Sequence, residues 1–129
     1  MRVMLFGTFD VLHPGHLHYL RDGQSRGKMI VVIARDENVR RIKGFMPERS
    51  ERIRKAAVEK EFPDATVTLG DPEDFLVPVR EHAPDLILLG YDQRLPPGIN
   101  EKDLPPIERA EPLEPEKYKS SLLRKDKKK

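Results

Sequence analysis

Cysteine is absent from the 129 residues. That excludes disulfides, thiolate metal sites and a cysteine nucleophile outright. Tryptophan is absent too, and aromatics make up only 6% of the chain, so the core must be aliphatic and modest. No apolar run approaches the roughly 18 residues that cross a bilayer. Met1-Arg2 leads directly into Val3-Met4-Leu5-Phe6, with no room for a signal peptide. The expectation is a cytoplasmic chain with no membrane partner.

A basic body is also missing. The formal charge is +2, but Arg124 to Lys129 read RKDKKK. That is five positive charges and one negative, a net of +4; taken from +2, it leaves residues 1–123 at −2. A nucleic-acid binder acting through its body is therefore disfavoured, and the last six residues read as a solvated basic tail. Residues 1–123 are short enough for a single domain.

What the chain does have is order. Val3–Phe6 is an apolar run, followed by Gly7-Thr8-Phe9-Asp10-Val11-Leu12-His13-Pro14-Gly15-His16 and a helix-like stretch closed by Gly27. Met29–Ala34 and Asp85–Gly90 are continuous apolar runs, as in strands buried on both faces, and Ala65–Leu69 reads as a further strand between them. Between them the pattern predicts a short helix capped by Asp36 and running to about Arg41. It then predicts a loop from Lys43 to Pro47 and a helix from about Glu48 to Glu61 with Ile53, Ala56 and Ala57 as its apolar stripe. The last crossover reads as a helix capped by Asp71 with Pro72 in its first position, buried through Phe75, Leu76 and Val79 and either kinked or broken at Pro78. The order βαβαβαβ predicts an α/β fold: a Rossmann-like, open, mostly parallel sheet with helices on both faces.

Six of the twelve prolines fall between residues 96 and 115. No long helix survives there. This segment is expected to be irregular, apart from a helical turn near Asn100–Leu104 and a short strand near Ile107–Ala110. A last helix is expected to start at Ser120 or Ser121.

Chemistry concentrates at residues 7–16. A strand entering a glycine-containing turn that opens a helix presents backbone N–H groups and the positive end of the helix dipole to an anion. His13 and His16 fall on one side of the first turn, where they can hydrogen-bond phosphate oxygens and stabilise charge on a departing pyrophosphate. A metal site would need a third ligand, which the spacing does not supply. Single histidines are more often structural, and the ring of Phe9 has core packing as its plain alternative.

The decapeptide resembles the signature of the cytidylyltransferase-like nucleotidyltransferases, over about residues 2–94 plus a final Lys/Ser segment. The resemblance implies transfer of a nucleotidyl group from an NTP to a phosphate-bearing acceptor, with release of pyrophosphate. His13, His16 and Lys43 then match the catalytic phosphate contacts. Gly7, Thr8, Phe9 and Gly15 match positions that cradle the nucleotide. Asp10 would brace the turn near the phosphates, and Arg52 matches an arginine near the acceptor or triphosphate, with a helical pair to Glu48 as its plain reading.

Gly90-Tyr91-Asp92-Gln93 and Lys117-Tyr118-Lys119-Ser120-Ser121 resemble the archaeal-type FAD synthase group more than the cytidylyltransferases. That implies Gly90, Asp92, Gln93, Lys119, Ser120 and Ser121 as nucleotide contacts, ATP and FMN as substrates, a divalent cation such as Mg2+ with ligands unassigned, and a homodimer. Glycerol-3-phosphate cytidylyltransferase or another CTP-dependent enzyme is the alternative within the family, and a non-catalytic nucleotide-binding module the alternative outside it.

Overall fold

The computed structural model describes residues 1–96 and 98–111. The expected Lys119, Ser120 and Ser121 contacts, the last helix and the basic tail lie outside the described residues. Within them the chain runs β1 (Arg2–Gly7), α1 (Pro14–Arg26), β2 (Lys28–Ile33), α2 (Asp36–Lys43), α3 (Glu51–Glu61), β3 (Thr66–Leu69), α4 (Leu76–His82), β4 (Leu86–Leu89), a 3₁₀ turn (Glu101–Asp103) and β5 (Ile107–Arg109). The strands form one sheet in the order β3-β2-β1-β4-β5, and every pairing is parallel.

The apolar runs explain that sheet. Met29 to Ile33 of β2 and all of β4 are buried, as expected of strands covered on both faces. On one face Leu20 of α1 and Val58 of α3 pack against Leu5, Val31 and Leu88. On the other, Val79 of α4 packs with Met4, Ile30 and Ile87. Truncating a fully buried residue such as Leu88 to Ala would cost about 2–5 kcal/mol. Among the described residues no helix is long and apolar enough to cross a membrane.

The strands end level with one another. Ala34 N donates to the Gly7 carbonyl, Gly70 N to that of Ile33 and Ala110 N to that of Leu89. From β1 the chain steps outward through β2 to β3, then returns to the other side of β1 for β4. The sheet order therefore reverses between β1 and β4, and a crevice opens above their carboxyl ends.

Several local expectations are corrected. Asp36 is the first residue of α2 and not its cap; the capping position is Arg35. The N–H of Asp36 is taken instead by Glu51. Lys43 closes α2 and is not in a loop. Helix α3 begins at Glu51, capped by the Ser50 hydroxyl, and its buried positions are Arg54 and Val58. Ile53 and Ala56 face solvent, because the stripe that meets the sheet follows i, i+4 spacing from Arg54.

Helix α4 starts at Leu76, four residues past Pro72. The Asp71 carboxylate makes a turn by accepting from Glu73 N and Asp74 N. Pro78 then falls in the first turn of α4, where its missing N–H costs nothing, so the helix needs no kink. In the proline-rich segment the 3₁₀ turn, capped by Asn100, and β5 both form.

Candidate active site

A cleft of about 800 Å³ lies over the carboxyl ends of the strands, centred on the β1–α1 turn. Beyond Gly7 the chain turns through Phe9, whose φ is +49°. That conformation costs a side-chain-bearing residue roughly 1–2 kcal/mol. Burial offsets it: the Phe9 ring is 3% exposed, stacks on Tyr19 at 6.3 Å and meets His16 edge-on at 5.4 Å. A Cβ on Gly7 would come within 2.5 Å of this ring. Phe9 thus supports the turn as a core residue while its backbone borders the cleft.

Helix α1 opens with His13 as its cap, Pro14 in its first turn and no acidic side chain there, so its positive end faces the cleft unneutralised. The two imidazoles stack with ring centroids 3.7 Å apart and planes inclined by 24°. Their hydrogen bonds assign their protons. Gly15 N–H donates to His13 Nδ1 at 3.1 Å, so Nδ1 holds a lone pair and the ring proton of neutral His13 sits on Nε2. His16 Nδ1 lies 3.1 Å from the Val11 carbonyl, which can only accept, so the proton of neutral His16 is on Nδ1 and its Nε2 is a lone pair.

Burial lowers the pKa of His13. Burial first, then the neighbouring His13 and Lys43, lower that of His16 to about 4, against a raising contribution from the Val11 carbonyl. At neutral pH both rings are uncharged in the unliganded cleft.

Lys43 Nζ, at the end of α2, is 3.4 Å from the Thr8 hydroxyl. The turn itself is held from outside. The Asp10 carboxylate accepts from Glu48 N and Arg49 N, each at 2.8 Å. Arg54 has no exposed side-chain surface. It donates to the carbonyls of Thr8 (2.7 Å) and Arg49 (3.0 Å) and to Asp36 Oδ1 (2.7 Å). Asp36 and Glu51 accept from each other's backbone N–H. One buried guanidinium therefore ties the β1–α1 turn to both α2 and α3.

Across the switch point, Gln93 bridges β1 and β4: Nε2 donates to the Phe6 carbonyl and Oε1 accepts from Gly90 N, both at 2.8 Å. Tyr19 adds a second bridge, its hydroxyl donating to the Leu88 carbonyl at 2.6 Å. Arg109 of β5 donates to the Gly90 and Gln93 carbonyls. Gln93 is thus engaged with backbone, whereas Asp92 is exposed at the cleft.

The expected positions Gly7, Thr8, Phe9, Asp10, His13, Gly15, His16, Lys43, Gly90, Asp92 and Gln93 all border this cleft. Arg52 does not: it is exposed on α3, and Glu48 precedes the helix, so the two share no helical face. The sequence reading missed Arg54, which holds the Thr8 carbonyl from behind the turn without bordering the cleft; among the described residues Arg41 and Arg94 line it. The signal for Arg54 was the spacing Arg54, Val58, Phe62, an i, i+4 series that buries all three.

Residues 4–125 match the cytidylyltransferase-like family. The chain is 43% identical over 95 residues to the FAD synthase of Aciduliprofundum boonei, covering 73% of this chain and 63% of that protein. It is 41% identical over 106 residues to the FAD synthase of Methanospirillum hungatei, covering 81% and 66%. For the FAD synthase of Haloferax volcanii the figures are 47% over 94 residues, 71% and 64%. The chain thus spans just under two thirds of the length of these curated relatives. The crystal structure of the lipopolysaccharide core biosynthesis protein from Thermoplasma volcanium superposes with a TM-score of 0.78 at 35% identity, over 88% of this chain and 98% of that one. With its paired histidines at the head of α1, its order reversal beside β1 and a match over nearly its whole length, the chain belongs to the cytidylyltransferase-like family.

Proposed function

We propose that the chain is a nucleotidyltransferase that adenylylates FMN. A phosphate oxygen of FMN attacks the α-phosphorus of ATP, a new P–O bond forms, the α–β bridge breaks, and pyrophosphate leaves. The observation that carries this reading is the convergence of His13, His16, Lys43 and the α1 N-terminus on one point of the cleft. Such an array suits developing negative charge on phosphates. The choice of FMN is supported by the relatives named FAD synthase. FMN phosphate is already ionised at neutral pH, so no general base is required; positioning and charge stabilisation carry the rate.

The two histidines have unequal roles in this scheme. Neutral His13 offers Nε2–H to a phosphate oxygen directly. His16 can donate through Nε2 only after taking up a proton, which the triphosphate's charge favours. Among the described residues no group of three or more His, Asp or Glu could hold a metal. A divalent cation is therefore taken to enter as the salt of the nucleotide, which is common for Mg2+, and no step above depends on it. A homodimer and a cytoplasmic location belong to the same reading.

The solved neighbour, a lipopolysaccharide core biosynthesis protein, is matched over almost its entire length. That supports a second reading, the same transfer to another phosphate-bearing acceptor such as a sugar phosphate or glycerol 3-phosphate, with CTP as donor. A pyrophosphate-release screen crossing ATP and CTP with FMN, glycerol 3-phosphate and sugar phosphates separates them. FAD formation is the expected result. Turnover only with CTP and a small phosphate overturns the FMN assignment, and no release with any pair points to a non-catalytic binding module.

A further inference from the structure

The sheet is not equally closed on the two sides of β1. Toward β2 the pairing runs the whole strand, from Arg2 with Lys28 to Gly7 with Ile33. Toward β4 it stops at Leu5 with Leu88, although β1 continues to Gly7 and β4 to Leu89. The next pair in that register would set Phe6 opposite Leu89. In a parallel ladder such a pair takes two bonds, Phe6 N–H to the Leu88 carbonyl and Gly90 N–H to the Phe6 carbonyl.

A side chain stands at each of these two places. The Gln93 carboxamide is inserted into the second bond: Gly90 N donates to Oε1 and Nε2 donates to the Phe6 carbonyl, both at 2.8 Å. The Tyr19 hydroxyl lies at the first, accepting from Phe6 N at 3.3 Å and donating to the Leu88 carbonyl at 2.6 Å. The two side chains touch, hydroxyl to Oε1 at 3.3 Å. All four backbone groups of that next pair are thus hydrogen-bonded, so the strands part without orphaning a donor or acceptor.

Gln93 is delivered to this place by its own backbone. Its N–H closes a turn on the Gly90 carbonyl at 3.1 Å, and Arg109 Nη1 holds the Gly90 and Gln93 carbonyls at 3.1 and 2.6 Å. Gly90 leaves the room, since a Cβ there would press on Gln93 Cγ and Cδ at 3.3 Å. Tyr19 is buried and stacked on Phe9. Burial raises the pKa of its phenol, which therefore keeps the proton it donates.

We infer that Gln93, backed by Tyr19, is a positioning residue: its carboxamide is a spacer that keeps β1 and β4 from pairing one step further and so sets the width of the crevice between Gly7 and Gly90, over which the nucleotide lies. Without the spacer, Gly90 N and the Phe6 carbonyl have each other as partners. Their pairing would draw the two glycine turns together at the point of the sheet where ligands bind. The spacer exchanges one ladder bond for two bonds through an amide, so its effect is on geometry and not on stability. The inference rests on the nucleotidyl-transfer reading for its ligand and adds a residue that acts without touching that ligand.

The test compares the full chain as wild type and as Gln93→Ala. Through-hydrogen-bond NMR couplings identify the acceptor of the Gly90 N–H, and calorimetric titration gives the affinities for ATP and CTP with Mg2+. In wild type the Gly90 nitrogen should couple to the side-chain carbonyl carbon of Gln93. In the variant it should couple to the carbonyl carbon of Phe6, with Tm within about 4 °C of wild type and nucleotide affinity down roughly tenfold. A wild-type Gly90 nitrogen coupled to Phe6 overturns the inference. So does a variant that fails to fold, because the carboxamide is then a strut the sheet needs. A fall in affinity without the new coupling makes Gln93 a nucleotide contact and overturns the spacer; the new coupling with unchanged affinity overturns its service to the nucleotide. Wild type that binds nucleotide and behaves as expected in both arms, yet makes no FAD, leaves the spacer standing and sinks the FMN reaction.

Discussion

His13 and His16 lie face to face at 3.7 Å, yet the backbone gives them opposite proton positions: Gly15 donates to one Nδ1, and the Val11 carbonyl takes the proton of the other. The consequence is a proton uptake. His16 is neutral in the empty cleft, with a pKa near 4, and a bound triphosphate raises it. Nucleotide affinity should therefore strengthen as pH falls through the bound-state pKa and level off near 4. Calorimetric titration of the nucleotide in two buffers of different ionisation heat, above the last phosphate pKa, should give buffer-dependent heats corresponding to up to one proton. The dependence should vanish in His16→Asn. Identical heats in both buffers for the wild type would falsify the asymmetry.

The same burial sets a stability trend. An unfolded histidine titrates near 6.5, whereas His16 in the fold titrates near 4, so between those values the unfolded chain binds a proton the folded one refuses. Stability contributed above 6.5 is lost as pH falls toward 4, by a total of roughly 3 kcal/mol. Thermal denaturation of wild type should show a larger drop in Tm from pH 7 to 5 than that of His16→Ala. Parallel slopes for the two proteins would count against it.

Arg52 and Arg54, two residues apart, should respond oppositely to replacement. Arg54→Met leaves the carbonyls of Thr8 and Arg49 and the Asp36 carboxylate without their donor, at a cost of about 2–4 kcal/mol. Arg52→Ala on the exposed side of α3 should change stability by less than about 0.5 kcal/mol. Denaturant unfolding of both variants measures the contrast, and Arg54→Lys should recover only part of the loss, because an ammonium cannot span three acceptors in a fork.

Gly7→Ala should damage the site more than the fold. The added methyl meets the Phe9 ring at 2.5 Å, and a ring packed against His16 and Tyr19 can move only by displacing them. The expected outcome is a loss of turnover of about tenfold or more, with a destabilisation of roughly 1–3 kcal/mol. Full activity in this variant would show that the turn tolerates a displaced Phe9.

Much of this was legible in the chain itself. Continuous apolar runs at Val3–Phe6, Met29–Ala34 and Asp85–Gly90 specify buried parallel strands, because such runs have no polar face to give to water. The Gly7–His16 turn was legible because a glycine-containing turn between an apolar run and a helix-like stretch acts through local backbone geometry. The helical turn near Asn100–Leu104 and the short strand near Ile107 were also readable, and both form. Where local signals misled, α3 starts three residues past Glu48 because the Ser50 hydroxyl caps it, and α4 starts four residues past Pro72 because the Asp71 carboxylate closes a turn there instead of a helix.

Residue order by itself determined the α/β alternation, the strand–turn–helix at Gly7–His16 and the family. Only the tertiary structure decided which arginine braces the β1–α1 turn, which nitrogen of each histidine carries its proton, and that Phe6 and Phe75 face one another. These depend on contacts such as Arg54 with Thr8, 46 positions apart in the chain, and Phe6 with Phe75 across the sheet edge. Backbone propensity and hydrophobic period act over a few residues. The electrostatics of a buried guanidinium and the assignment of an imidazole proton act through space, and come into being only when the sheet has brought those segments together.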